Sequence, residues 1–201
     1  LHPRAGRGLG VSFFPDLRSF IAALRERGDL HEIAAAVDPR LELAEIHRRV
    51  IAEGGPALLF KNVRGSTFPV ATNLFGTKAR IDLAFGNEPK KFVQDVVALA
   101  SEHFPPSLGR LWEKRSVLGG ALRVGAKTRQ TGPVLESHLS PPDLTKLPVL
   151  TTWPLDGGPF FTLPLVYTEH PVSGIPNLGM YRMQRYGADS TGMHMQIGKG
   201  G

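Results

Sequence analysis

The sequence predicts a chain of mixed class, α+β overall. A tail at 1–12 precedes an N-terminal α/β domain at 13–110, and a β-rich, helix-poor segment fills 111–201. Three observations predict this. Helical and strand patterns alternate up to about residue 105. Composition turns Gly- and Pro-rich after Ser107. Pro148, Pro154, Pro159 and Pro164 then forbid any long helix.

The tail is Gly- and Arg-rich, and Gly6-Arg-Gly-Leu-Gly10 fails the dinucleotide fingerprint because no strand precedes it. Asp16 caps a helix whose apolar positions, Leu17, Phe20, Ile21 and Leu24, follow a 3.6-residue repeat, and Gly28 ends it. His31 to Ala35 reads as a short strand. Asp38-Pro39 reads as cap and first position of a second helix with Leu41, Ala44, Ile46, Val50 and Ile51 inward. Gly54-Gly55-Pro56 stops it. Ala57 to Val63 and Val70 to Phe75 read as strands joined through Gly65-Ser66. A third helix runs from Thr77 or Lys78 to Phe85. A fourth opens at Asn87 with Phe92, Val93, Val96, Val97 and Ala100 inward. Further on, Ser140-Pro-Pro-Asp-Leu-Thr is a turn or one 3₁₀ step. Trp153 reads as a core or interface residue. Phe160 to Thr168 is a strand bent at Pro164.

The 201 residues are enough for one or two domains with a sizeable core. No apolar run approaches a membrane span, and no secretory h-region opens the chain. The sequence holds no Cys, which excludes disulfides and thiolate chemistry and is compatible with the cytoplasm. The net charge of +6 is scattered, without basic–aromatic interleaving, so it argues for an anion site on a solvated surface rather than for nucleic acid. Leu1 is not an initiator Met, and Gly198-Lys-Gly-Gly201 reads as a loop leading onward. Both suggest a portion of a longer protein.

The last quarter gathers Asn177, Arg182, Gln184, His194, Gln196 and Lys199 in two strand-like runs around a turn at Gly187 to Ser190, which predicts a hairpin. Residues two apart share a strand face, so Arg182 pairs with Gln184 and His194 with Gln196, while Met193, Met195 and Ile197 point toward a core. Asn177 has the wrong parity for Arg182. We expect it just before the strand, with a bulge at Gly179 as the alternative. An amide, a guanidinium, an imidazole and an ammonium suit a metal-bridged phosphate. The same pattern also fits an ordinary polar-out hairpin with core methionines. Likewise, a lone His on a strand is commonly a surface residue, and Arg182 could simply pair with Asp189.

These runs resemble the flavin-binding segment of the UbiD-type decarboxylases, the family of 3-octaprenyl-4-hydroxybenzoate carboxy-lyase and ferulate decarboxylase. Upstream, Lys146-Leu-Pro-Val-Leu, Trp153-Pro-Leu-Asp-Gly-Gly-Pro-Phe-Phe-Thr and Pro171 to Gly174 join the likeness, as do Asp16-Leu-Arg-Ser-Phe-Ile21, Gly55-Pro-Ala-Leu-Leu-Phe60 and Asn73-Leu-Phe-Gly76. The resemblance runs from about Asp16 to Gly201.

It implies an N-terminal α/β domain followed by the first part of a split β-barrel of the flavin-reductase type. It also implies non-oxidative decarboxylation of an aromatic or α,β-unsaturated acid with prenylated FMN. Asn177 and His194 would be ligands to Mn²⁺, with a K⁺ ion nearby. Met180, Tyr181, Arg182, His194, Met195, Gln196, Lys199 and Gly200 would contact the cofactor. Arg182 would be the catalytic residue, holding the carboxylate by two parallel hydrogen bonds. The third metal ligand and the catalytic acids of the family lie beyond Gly201, and full-length members assemble as homo-oligomers. Asp156-Gly-Gly reads as a turn. Two other classes remain: a non-catalytic flavin- or nucleotide-binding module or subunit of a larger decarboxylase complex, and a basic RNA-binding protein.

Overall fold

The structure, a computed structural model, describes residues 14–86, 93, 94, 97 and 130–194. The chain divides into two compact units. One takes 21–76 and 139–201, the other 1–20 and 77–138.

Helix α1 (Leu17–Glu26) begins as expected, with the Ser19 amide donating to Asp16 Oδ1 at 2.8 Å. Phe20 and Leu24 are buried, and Gly28 takes a positive φ past its end. Strand β1 (Leu30–Val37) is longer than predicted. It pairs in parallel with β2 (Ala57–Val63), the crossover being helix α2 (Glu42–Ala52). Strand β3 (Val70–Thr72) adds antiparallel to β2. Val37, Leu43, Leu58, Phe60 and Val63 form the buried core, with Ile33, Ile46, Val50, Val70 and Leu150 packed against it. Full burial of each such side chain contributes about 1.5–3 kcal/mol. On the rim, Glu32 of β1 joins Arg25 and Lys61 in an ion-pair triad.

Three expectations here need correction. Helix α2 does not start at Asp38-Pro39. Residues 39–41 are drawn into a bridge with Thr151: the Leu41 amide donates to Thr151 O and the Thr151 amide to Pro39 O. The helix therefore begins at Glu42, after a strained Leu41 at φ 67. Ile51 is exposed rather than inward. Strand β3 stops at Thr72 because Asn73 turns into the left-handed region at φ 55, and Phe75 is exposed.

In the other unit, Thr77 caps α3 (Lys78–Phe85) by accepting from the Arg80 amide. The expected fourth helix lies mostly outside the described residues. Of its parts that are described, Val93 and Val97 are exposed instead of inward.

The second half is built of short strands, as predicted. Asp143 caps a one-turn 3₁₀ segment, Leu144–Lys146. The expected bent strand is two strands in two sheets, separated at Pro164: β4 (Phe160–Phe161) and β5 (Leu165–Glu169). Strand β5 pairs with β6 (Pro176–Met180) as a two-stranded ribbon. Strand β4 pairs with β7 (Met183–Arg185), which pairs with β8 (Thr191–Met193). The β7–β8 hairpin closes where the Tyr186 and Gly187 amides donate to Ser190 O, which is the predicted turn. Among the described residues no helix is long and apolar enough to cross a membrane.

Candidate active site

Arg182 sits in the two-residue break between β6 and β7. Phe160 pairs with Gln184, so those two side chains share one side of the sheet. Gln184 Nε2 donates to Gly157 O at 2.6 Å. Gly158, at φ 151, leaves room for it, since a Cβ there would come within 3.0 Å of Nε2.

The Arg182 guanidinium lies over the Phe160 ring, its carbon 3.7 Å from the ring centroid. Its Nη1 donates to Asp156 Oδ1 at 3.0 Å and its Nη2 to Asp156 Oδ2 at 2.6 Å, a two-point ion pair. Nη2 also donates to Thr152 Oγ1 at 3.0 Å. Asp156 is fixed by its own turn: Oδ2 accepts from the Thr152 amide (3.2 Å), the Thr152 hydroxyl (3.0 Å) and the Trp153 amide (3.1 Å). The Arg182 guanidinium, with these further donors, outweighs the effect of burial and holds the Asp156 carboxyl well below the usual carboxylate range.

The pairing with Asp189 that the residues alone left open does not form; Arg182 reaches back 26 positions instead. Sequence reasoning took Asp156-Gly-Gly as a turn and did not see this partner. A carboxylate closing a Thr-x-x-x-Asp turn was the available signal. Trp153, read as core or interface, is 55% exposed with the Arg48 guanidinium 4.9 Å from its ring centroid.

Asn177 lies inside β6, paired with Thr168, and not before the strand as expected. The strand is continuous through Gly179 and ends at Met180, so the break at Tyr181-Arg182 rather than a bulge changes the parity. Asn177 Nδ2 donates to Tyr181 Oη at 3.1 Å. The Tyr181 ring folds over Gly179, where an added Cβ would meet Cε2 at 2.3 Å. Among the described residues the Asn177 Oδ1 accepts no hydrogen bond, which leaves a hard oxygen donor available. Met180 is exposed, on the same face of the ribbon as Leu165, Tyr167 and Leu178. His194 is exposed directly after β8. Met195, Gln196, Lys199 and Gly200 lie outside the described residues. Among the described residues no group of three His, Asp or Glu side chains is placed to hold a metal.

Beside this cluster is an apolar cleft of about 670 Å³. Leu43, Ala44 and His47 of α2 line it together with residues 70–73, 147–150, Thr152 and 160–164. Thr152 and Phe160 thus face the cleft and also hold Arg182. Burial pushes the His47 imidazole below its ordinary pKa.

Comparison with known proteins adds the following. The family description of the 3-octaprenyl-4-hydroxybenzoate carboxy-lyase N-terminal domain matches residues 21–100, and that of the same family's Rift-related domain matches residues 126–201. A protein of Chlamydia caviae is 52% identical over 185 residues, covering 92% of this chain and 32% of its own length. A 4-hydroxybenzoate decarboxylase subunit from Chlamydia pneumoniae is 49% identical over 185 residues, 92% of this chain and 31% of its own. The chain therefore spans about a third of the length of the curated relatives it matches. Among solved structures, the UbiD-class enzyme HmfF from Pelotomaculum thermopropionicum in complex with FMN superposes with a TM-score of 0.65 at 25% identity, over 90% of this chain and 37% of that one. The closed form of vanillic acid decarboxylase from Sedimentibacter hydroxybenzoicus gives a TM-score of 0.67 at 24% identity, over 91% and 37%. That last likeness is one of fold.

Proposed function

Because the chain belongs to the UbiD family of carboxy-lyases, we propose that it carries part of the active site of a non-oxidative decarboxylase acting on aromatic or α,β-unsaturated carboxylic acids. The observation that carries this reading is the state of Arg182: a permanent cation, 38% exposed, held over the Phe160 ring beside an apolar cleft. A planar acid has its apolar body accommodated by such a cleft and its carboxylate met by such a guanidinium.

The residues present suit a phosphorylated flavin with a divalent ion. The exposed Met180 face offers a flat apolar platform. The free Oδ1 of Asn177 and the imidazole of His194 would offer two donors to a divalent metal. When bound, a prenylated FMN supplies the carbon centre that accepts the electron pair left as carbon dioxide departs. Arg182 orients the carboxylate and neutralises it until the carbon–carbon bond breaks. Phe160 and the apolar cleft walls exclude water around the bond that breaks. A proton from an acid then takes the place of the lost carboxylate. The split-barrel frame, the Mn²⁺ and K⁺ ions, the roles of Met195, Gln196, Lys199 and Gly200, and a homo-oligomeric state belong to the same proposal.

A second reading has one specific observation behind it: a relative at 49% identity is one subunit of a 4-hydroxybenzoate decarboxylase, so we infer that further chains join this one. The test of the main reading is carbon dioxide release from a panel of hydroxybenzoic and cinnamic-type acids by the intact protein loaded with modified flavin. Release from at least one acid is expected. No release from any, with flavin bound, would overturn the reading.

A further inference from the structure

The reading of Arg182 as the residue that meets the substrate carboxylate is the premise here. We propose that Asp156 is the positioning residue for Arg182, so that the substrate's carboxylate binds on the free Nε–H side of the guanidinium while Asp156 stays in place.

The fixed partner of the pair is the carboxylate. Asp156 is 10% exposed and takes three hydrogen bonds from Thr152 and Trp153 that owe nothing to Arg182. Arg182 is the more exposed and longer side chain, free to swing if Asp156 lets go. The Thr152 hydroxyl completes a directed relay, donating to Asp156 Oδ2 and accepting from Arg182 Nη2. Together these contacts hold the guanidinium over the Phe160 ring.

The donor count narrows the chemistry. A guanidinium has five N–H groups. Asp156 and Thr152 take three of them. Among the described residues, Nε–H and the second N–H on Nη1 remain. The expected two-point clamp across the guanidinium end is therefore held by Asp156, and an incoming carboxylate meets Nε–H instead.

The experiment measures benzoate binding to the intact protein by calorimetry, alongside kcat and KM for whichever acid is turned over. Asp156→Asn should weaken benzoate about tenfold or more, the loss expected for one charged contact, and lower kcat as well. Asp156→Glu should recover part of both. Thr152→Val should shift both in the same direction by less, and it serves alone if Asp156→Asn fails to fold. Tighter or unchanged benzoate binding in Asp156→Asn would show a competitor or a bystander, and would overturn the inference. Unchanged benzoate binding and kcat in Thr152→Val would do the same. If Arg182→Ala weakens benzoate and Asp156→Asn does not, only this inference fails. If Arg182→Ala changes neither binding nor turnover, the functional reading itself fails.

Discussion

Replacing Asn73 by alanine tests the physical account of the unit that carries the site. Asn73 is 7% exposed and sits at φ 55 where β3 ends. Its Nδ2 donates to Gly55 O at 3.0 Å and Pro56 O at 2.8 Å, tying that end to the turn that feeds β2. Losing two hydrogen bonds costs about 2 kcal/mol at roughly 1 kcal/mol each. Holding alanine in the left-handed region adds about 1–2 kcal/mol. Deleting the buried Oδ1, which has no partner among the described residues, returns about 1 kcal/mol. The net loss is roughly 2–3 kcal/mol out of the ~5–15 kcal/mol typical of a folded domain. Asn73→Gly should lose about 1 kcal/mol less, since glycine accepts the backbone angle. Denaturant titration of both variants reads this as a fall in midpoint at constant slope. An alanine variant within about 0.5 kcal/mol of the parent, or a glycine variant no better than alanine, would refute the reasoning.

Three other perturbations have outcomes set by the same geometry. Burial lowers the His47 pKa from 6.5, so the unfolded state binds the proton first. Stability should therefore be full above the ordinary imidazole pKa and fall as pH drops through and below it, and His47→Leu should flatten that dependence in thermal melts between pH 7 and 5. The Asp156 carboxyl is lowered from 3.8, so its ionised pair should survive until the pH falls below that value; acid titration of Asp156→Asn should match the parent above about pH 4 in shape and lack its late loss. Gly179→Ala forces the Tyr181 ring away from Asn177 and should lower stability by about 1–3 kcal/mol, the usual cost of overpacking. That cost should vanish in a Tyr181→Ala background, as a double-mutant cycle would show.

What could be read from the residues was what local chemistry decides. The Asp16 cap with its 3.6-residue stripe gave α1, and the run from Gly187 to Ser190 gave the β7–β8 hairpin. What could not be read was set by partners far along the chain. The start of α2 is displaced because Thr151 captures residues 39–41, more than a hundred positions away. Pro164 was legible as a bend, yet nothing local says that the strands on its two sides join different sheets. Asn177 was misplaced relative to the strand because the break falls at Tyr181-Arg182, where the sequence carries no Gly or Pro to announce it. The tie from Arg182 to Asp156 and Thr152 spans 26 and 30 residues, and only the fold brings the Thr152–Asp156 turn under the guanidinium.

The most direct measurement compares carbon dioxide release by the intact, flavin-loaded protein with and without Arg182→Ala, at matched flavin content. The account predicts that release from the accepted acid collapses in the variant while the flavin remains bound. Turnover equal to that of the parent would contradict it, because the guanidinium on Phe160 would then have no part in the reaction.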